Sequence, residues 1–149
     1  MKYTIQKIPH GEEELILRYQ NETPEITRIL HFLDGEQTTL VGLKDKQQVL
    51  IRPQQILYIE SVDGRTFAYT EEDILQLEYT LSQTEYMLRS VNFFRCSKST
   101  ILNIDKIKLL KSLPSNRIDA MMCSGEHILI SRTYASDFRK RLKGGQRNE

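Results

Sequence analysis

The stretch "FFRCSKSTILN", residues 93–103, sets two cations and three hydroxyls into six positions: Arg95, Ser97, Lys98, Ser99 and Thr100. Apolar residues flank them on both sides, so hydrogen-bond donors interrupt what otherwise reads as a buried strand. Lysine and arginine donate to the O6 and N7 atoms of guanine, and serine hydroxyls suit phosphate oxygens or base edges. A restrained loop carrying such groups loses less side-chain entropy on binding than a flexible one. The chemistry these residue types suit is recognition of a polyanion.

Bond-making chemistry finds no comparable cluster. His10, His31 and His127 lie in unrelated contexts without metal-ligand spacing. The sequence has no CxxC, no glycine-rich phosphate loop and no GxSxG. The acidic run Glu71-Glu72-Asp73 reads as an exposed turn. Cys96 and Cys123 both sit in apolar runs and read as reduced core residues. No catalytic residue, metal or cofactor is expected, and the chain is not expected to be an enzyme.

Charge is distributed unevenly over the 149 residues. Residues 1–45 carry 5 basic and 8 acidic side chains, net −3, and residues 46–90 carry 4 and 7, again −3. Residues 91–149 carry 12 and 5, net +7, so an overall charge of +1 conceals a basic C-terminal third. Part of the excess belongs to the closing "RKRLKGGQR", but Arg95, Lys98, Lys106, Lys108, Lys111, Arg117 and Arg132 precede it. A basic face on an acidic body points to nucleic acid. The alternative from another class is a β-rich interaction module whose basic face binds an acidic protein or a membrane surface. No apolar run approaches the ~18 residues of a membrane helix, and the N-terminus lacks a signal-peptide core; a cytoplasmic location is expected.

The elements that must position these groups are mostly strands. "KYTIQKI" and "EELILRYQ" read as two strands joined at "PHG". Thr23 and Pro24 open a helix with Ile26, Ile29, Leu30 and Leu33 on one face, stopped by Gly35. Strand patterns follow at "TTLVGL", "QQVLI", "ILYIESV", "RTFAYT" and "DILQL", with Asp63-Gly64 a strong hairpin turn. A helix is expected over about Glu78–Leu88. Strands resume at "FFRCS", "TILN", "KIKLLK", "NRIDAMMC" and "HILIS", and a last helix from about Thr133 turns Tyr134, Phe138 and Leu142 inward. The expected fold class is α+β and β-rich. A small strand-strand-helix extension occupies residues 1–45, a domain 46–145, and a tail 146–149. The basic third is strand-periodic, which argues against a helix-turn-helix.

From about Val49 to Leu142 the chain resembles the LytTR family of bacterial DNA-binding domains. Four segments carry the resemblance in the family's order: "ILYIESVDGRTFAYT", "LQLEYTLSQTEYML", "FFRCSKSTILNIDKI" and "GEHILISRTYASDFRKRL". The resemblance implies short β-sheets whose connecting loops enter duplex DNA. It places contacts at Gly64 and Arg65 of the hairpin, at Ser97, Lys98 and Ser99, and at Arg132 of the Ser-Arg pair. Many members carry histidine where this chain has Ser97. Arg95 and Lys106 are further candidates with either a DNA or a structural role, while Asn103 reads as a structural backbone-bonding residue. Only about 45 residues precede the resemblance, too few for a phosphoacceptor receiver. Stand-alone members are often controlled by a small membrane-protein inhibitor and bind paired repeats, so a homodimer on DNA is expected.

Overall fold

The computed structural model describes residues 1–33 and 38–145. Among these, the order is α1 (Pro24–Leu33), β1 (Leu40–Lys44), β2 (Gln47–Ile51), β3 (Ile56–Val62), β4 (Arg65–Thr70), β5 (Ile74–Leu77) and α2 (Leu81–Met87). Then come β6 (Phe93–Arg95), β7 (Thr100–Asn103), β8 (Ile107–Leu113), β9 (Arg117–Met122), β10 (His127–Ile130) and α3 (Arg132–Gly145). This is the β-rich α+β class read from the sequence.

The strands form a seven-stranded antiparallel sheet, ordered β2-β1-β5-β4-β3-β7-β6, and a three-stranded sheet, β10-β9-β8. Strand β1 precedes residue 46 yet pairs with both β2 and β5. Pairs of positive-φ residues sit in three hairpin turns, the two-residue turns Asp45-Lys46 and Asp63-Gly64 and the three-residue turn Pro114-Ser115-Asn116. Such turns match the right-handed twist of the strands they join. At Gly42 a Cβ would come within 2.6 Å of Ile51 Cδ1, so the missing side chain is what lets β1 pack there.

Strand β3 lies inside the large sheet and β7 one in from its edge, and both faces of each are covered. Ile56, Ile59 and Ile101 join a core with Leu81 and Leu88 at α2. Leu57, Tyr58 and Leu102 face a second core built with Ile118, Ile130, Ala135 and Phe138 of the small sheet and α3. A register shift between Ile56 and Tyr58 puts Leu57 and Tyr58 in the same core, breaking the usual alternation. Asn103, 3% exposed, is structural: its Nδ2 donates to the Ile56 carbonyl at 2.9 Å. Its Oδ1 accepts from the Asp105 amide at 3.1 Å.

Several expectations need correction or trimming. Residues 1–22 form no strands, and nearly all their side chains are exposed. The alternation of "KYTIQKI" and "EELILRYQ" finds no neighbouring strand, and an isolated hairpin is marginal in water. Helix α1 does form, with Thr23 Oγ1 accepting from the Ile26 amide at 3.3 Å. The expected stop at Gly35 and the tail 146–149 lie outside the described residues. Helix α2 begins at Leu81, three residues later than read. Thr80 caps it, accepting from the Gln83 amide at 3.1 Å while Gln83 Oε1 accepts from the Thr80 amide at 2.9 Å. Among the described residues no helix is long and apolar enough to cross a membrane.

Candidate nucleic-acid interface

The polar interruption between β6 and β7 is a short loop fastened by its main chain. The Cys96 amide donates to the Thr100 carbonyl at 2.9 Å, closing the loop on itself. On one side, the Ser61 amide of β3 donates to the Ser99 carbonyl at 2.8 Å. On the other, the Ser131 amide donates to the Cys96 carbonyl at 2.9 Å. Ser131 also starts α3, since its carbonyl accepts from the amides of Tyr134 and Ala135 at 3.0 Å. Residues 97–99 therefore sit between the outer end of β3 and the first turn of α3.

This fastening brings the sequence-predicted residues to one end of the molecule. Ser61 is followed by Val62 and the Asp63-Gly64 turn, so the turn projects about 7 Å beyond the Ser99 contact, with Arg65 one residue beyond it, opposite Val62. Gly64 has φ +76°, a region a side chain would strain, and no atom lies near the place of its absent Cβ. Arg65, Lys98 and Arg132 are exposed. Among the described residues, none of their side-chain donors has a protein partner. Ser97 and Ser99 are half-buried; Ser97 Oγ accepts from the Ser99 amide at 3.2 Å, stiffening the tip that carries Lys98.

Arg95 is committed within the protein. Its Nε donates to the Ser97 carbonyl at 2.8 Å and its Nη2 to the Lys98 carbonyl. Nη1 lies 3.7 Å from Glu85 of α2. The guanidinium holds the loop open from behind, a task that needs its fork of donors. Lys106 is not part of the cluster. It follows Asn103 at the far end of β7 and lines a cleft with Thr70, Glu71, Glu72 and Asp73, which join the far ends of β4 and β5. Cys96 contributes no thiolate, because burial pushes its thiol up to about 12.

A further cation stands at the same end of the molecule. Arg117 opens β9 beside the Ser115-Asn116 turn, and its neighbour Ile118 pairs with Ile130, level with Ser131. Arg117 Nε donates to the Pro114 carbonyl at 3.1 Å. Asn116 Nδ2 donates to Ser136 Oγ at 3.5 Å, and Asn116 Oδ1 accepts from Arg139 Nη1, tying this turn to α3. The turn signal was legible in the sequence. Its position relative to Arg132 depends on the β9–β10 register.

A β scaffold thus carries exposed cations without protein partners, Arg65, Lys98 and Arg132, on adjoining loop tips. The LytTr DNA-binding domain model matches residues 46–143, about two-thirds of the sequence. The chain belongs to the LytTR family of DNA-binding domains. A solved LytTr DNA-binding domain of a response regulator from Bacillus cereus superposes with a TM-score of 0.67 at 28% identity. The match covers 70% of this chain and 96% of that one. Among curated proteins, Sensory transduction protein LytT of Bacillus cereus is 26% identical over 143 residues, covering 91% of this chain and 58% of its own length. LytT of Bacillus anthracis is 30% identical over 95 residues, covering 64% and 39%. Transcriptional regulatory protein YpdB of Escherichia coli is 22% identical over 139 residues, covering 93% and 57%. The chain thus spans little more than half the length of the fullest of these matches.

Proposed function

We propose that this chain is a sequence-specific transcriptional regulator that holds duplex DNA against the end formed by the β3–β4 turn, the β6–β7 loop and the start of α3. Lys98 and Arg132 read base edges, Ser97 and Ser99 supply short donors, and Arg65 and Arg117 lie toward the phosphates. Arg95 shapes the loop rather than touching DNA, and Lys106 stays outside the interface. The observation that carries this reading is the pair of main-chain bonds, Ser61 to Ser99 and Ser131 to Cys96, that gathers unpaired cations from distant parts of the sequence. Membership of a DNA-binding family and relatives named as regulators support the same reading.

Two copies on paired half-sites follow from energetics. Each good base contact discriminates by about 1–3 kcal/mol, so a few loop contacts barely reach the roughly 4–10 kcal/mol of regulatory specificity. The N-terminal region is the proposed contact between copies. Ile26 of α1 is buried, but Tyr3, Ile5, Leu15 and Ile16 are largely exposed, more apolar surface than a free segment usually carries. Selection from random duplexes tests the function directly. Enrichment of a two-part motif supports it, and recovery of no preferred sequence overturns it.

A further inference from the structure

The turn joining β8 to β9 lies at the loop-tip end of the molecule and is braced from the side by α3. Leu113 pairs with Arg117, so Pro114, Ser115 and Asn116 make the turn. Ser115 and Asn116 have φ of 63° and 56°. Asparagine is among the few side chains that accept this region readily. Arg117 lies one residue beyond the Ile118–Ile130 pair, level with Ser131, and the turn reaches past that level.

The brace comes from one stripe of α3. Arg132, Ser136 and Arg139 are spaced i, i+4 and i+7, so they share a helix face. Arg139 Nη1 donates to Asn116 Oδ1, and Asn116 Nδ2 donates to Ser136 Oγ at 3.5 Å. The side-chain amide of Asn116 is thus held on both sides by the two residues that follow Arg132 on its stripe. Arg139 is half-buried, whereas Arg117 is exposed. Arg117 Nε donates to the Pro114 carbonyl at 3.1 Å, which orients the guanidinium over the turn. Among the described residues, its two terminal nitrogens have no protein partner. A guanidinium oriented through Nε, with both terminal nitrogens open, presents the paired donors that match a phosphate. Asn116 directly precedes Arg117, so what fixes the Asn116 amide also fixes the direction in which this fork leaves the turn.

We propose that Arg139 is a positioning residue for DNA binding: it acts through Asn116 to aim Arg117 at a backbone phosphate flanking the bases read by the neighbouring tips. The inference rests on the DNA reading above and adds to it the residue that orients one contact. Arg139 itself touches no DNA. Arg132 and Arg117 are thereby carried on one mount, the first stretch of α3.

The test is a double-mutant cycle in the full chain, read as affinity for the selected duplex by fluorescence anisotropy. Arg117→Gln should weaken binding about five-fold, the loss of one charge-assisted bond, and equally on random duplex, as suits a phosphate contact. Arg139→Met keeps the aliphatic stem and loses the donors. It should weaken binding about three-fold alone and add nothing in the Arg117→Gln background, because the two residues act as a unit. Arg139→Lys, which keeps a donor for Asn116, should retain most of the affinity. Asn116→Gly keeps the positive φ without the amide and should match Arg139→Met; it also decides the matter if loss of the Arg139 guanidinium unfolds α3. Ethylation interference should mark a flanking phosphate whose signal falls in both Arg117→Gln and Arg139→Met. Additive losses in the cycle would make Arg139 a direct or bulk-charge contact and overturn the positioning role. Undiminished duplex affinity in Arg139→Met and Asn116→Gly would overturn this inference alone. Absence of duplex binding by the unaltered chain would overturn the DNA reading and this inference with it.

Discussion

The Ser131 amide donates to the Cys96 carbonyl at 2.9 Å, joining the start of α3 to the loop that carries Lys98. Lys98 and Arg132 are thereby held at a fixed separation by backbone alone. Ser131→Pro removes that donor while keeping every cation, and proline is tolerated where a helix begins. It should lower affinity for a selected duplex and cost about 1 kcal/mol of unfolding stability. Titration of the variant with that duplex checks it; undiminished affinity would show that the tie does not position the contacts.

Lys98 and Lys106 separate base reading from bulk charge. Lys98→Ala should cost about 1–3 kcal/mol on the preferred site and relax discrimination at one base pair. Lys106→Ala, at the far end of β7, should leave specific binding close to unchanged. Competition against single-base variants of the site distinguishes them. Equal losses on specific and random duplexes would demote Lys98 to a backbone contact.

Arg95 should prove a positioning residue. Arg95→Lys keeps the charge but cannot reach both the Ser97 and Lys98 carbonyls and Glu85 at once. A loss of about 1–2 kcal/mol in stability is expected, with weaker binding of the preferred duplex and little change on random DNA. A uniform loss on every sequence would instead make Arg95 a phosphate contact.

Salt dependence measures the electrostatic share. If about five phosphates are neutralised per bound copy, log K should fall against log salt with a slope of roughly −4 to −5. Fluorescence anisotropy across a salt series supplies the slope, and a flat response would remove the basic third from the interaction.

The proposed paired half-sites would impose a helical phase. With half-sites about one or two turns apart, both copies share one DNA face. Inserting half a turn should reduce binding sharply, and a full turn should restore part of it. Unchanged affinity, with one chain per duplex by light scattering, would overturn the two-copy arrangement.

The sequence made the polar β6–β7 loop legible because donors broke an apolar run. It also showed that Arg95 shares a face with Phe93. That face turns out to be the α2 side, so Glu85 becomes its partner. Which carbonyls Arg95 would reach depended on the curvature of a loop only the fold defines. Arg117 stayed hidden for a similar reason, since its level beside Ser131 is set by cross-strand register. In residues 1–22 alternation overstated the case, because period-two patterning records an affinity for a sheet and not the presence of one. The doubled inward step at Leu57 and Tyr58 is likewise a bulge that periodicity cannot announce.

The bonds that fix the β6–β7 loop to β3 and α3 run between amides and carbonyls, so they make few demands on the side chains at 98 and 99, whereas Ser97 Oγ accepts from the Ser99 amide. Letters can change at the tip while the mount stays in place. If this loop reads DNA as proposed, substitutions at 98 and 99 would shift the preferred sequence without loosening the mount. A library randomised only there offers a direct route to redirecting the domain toward chosen sequences.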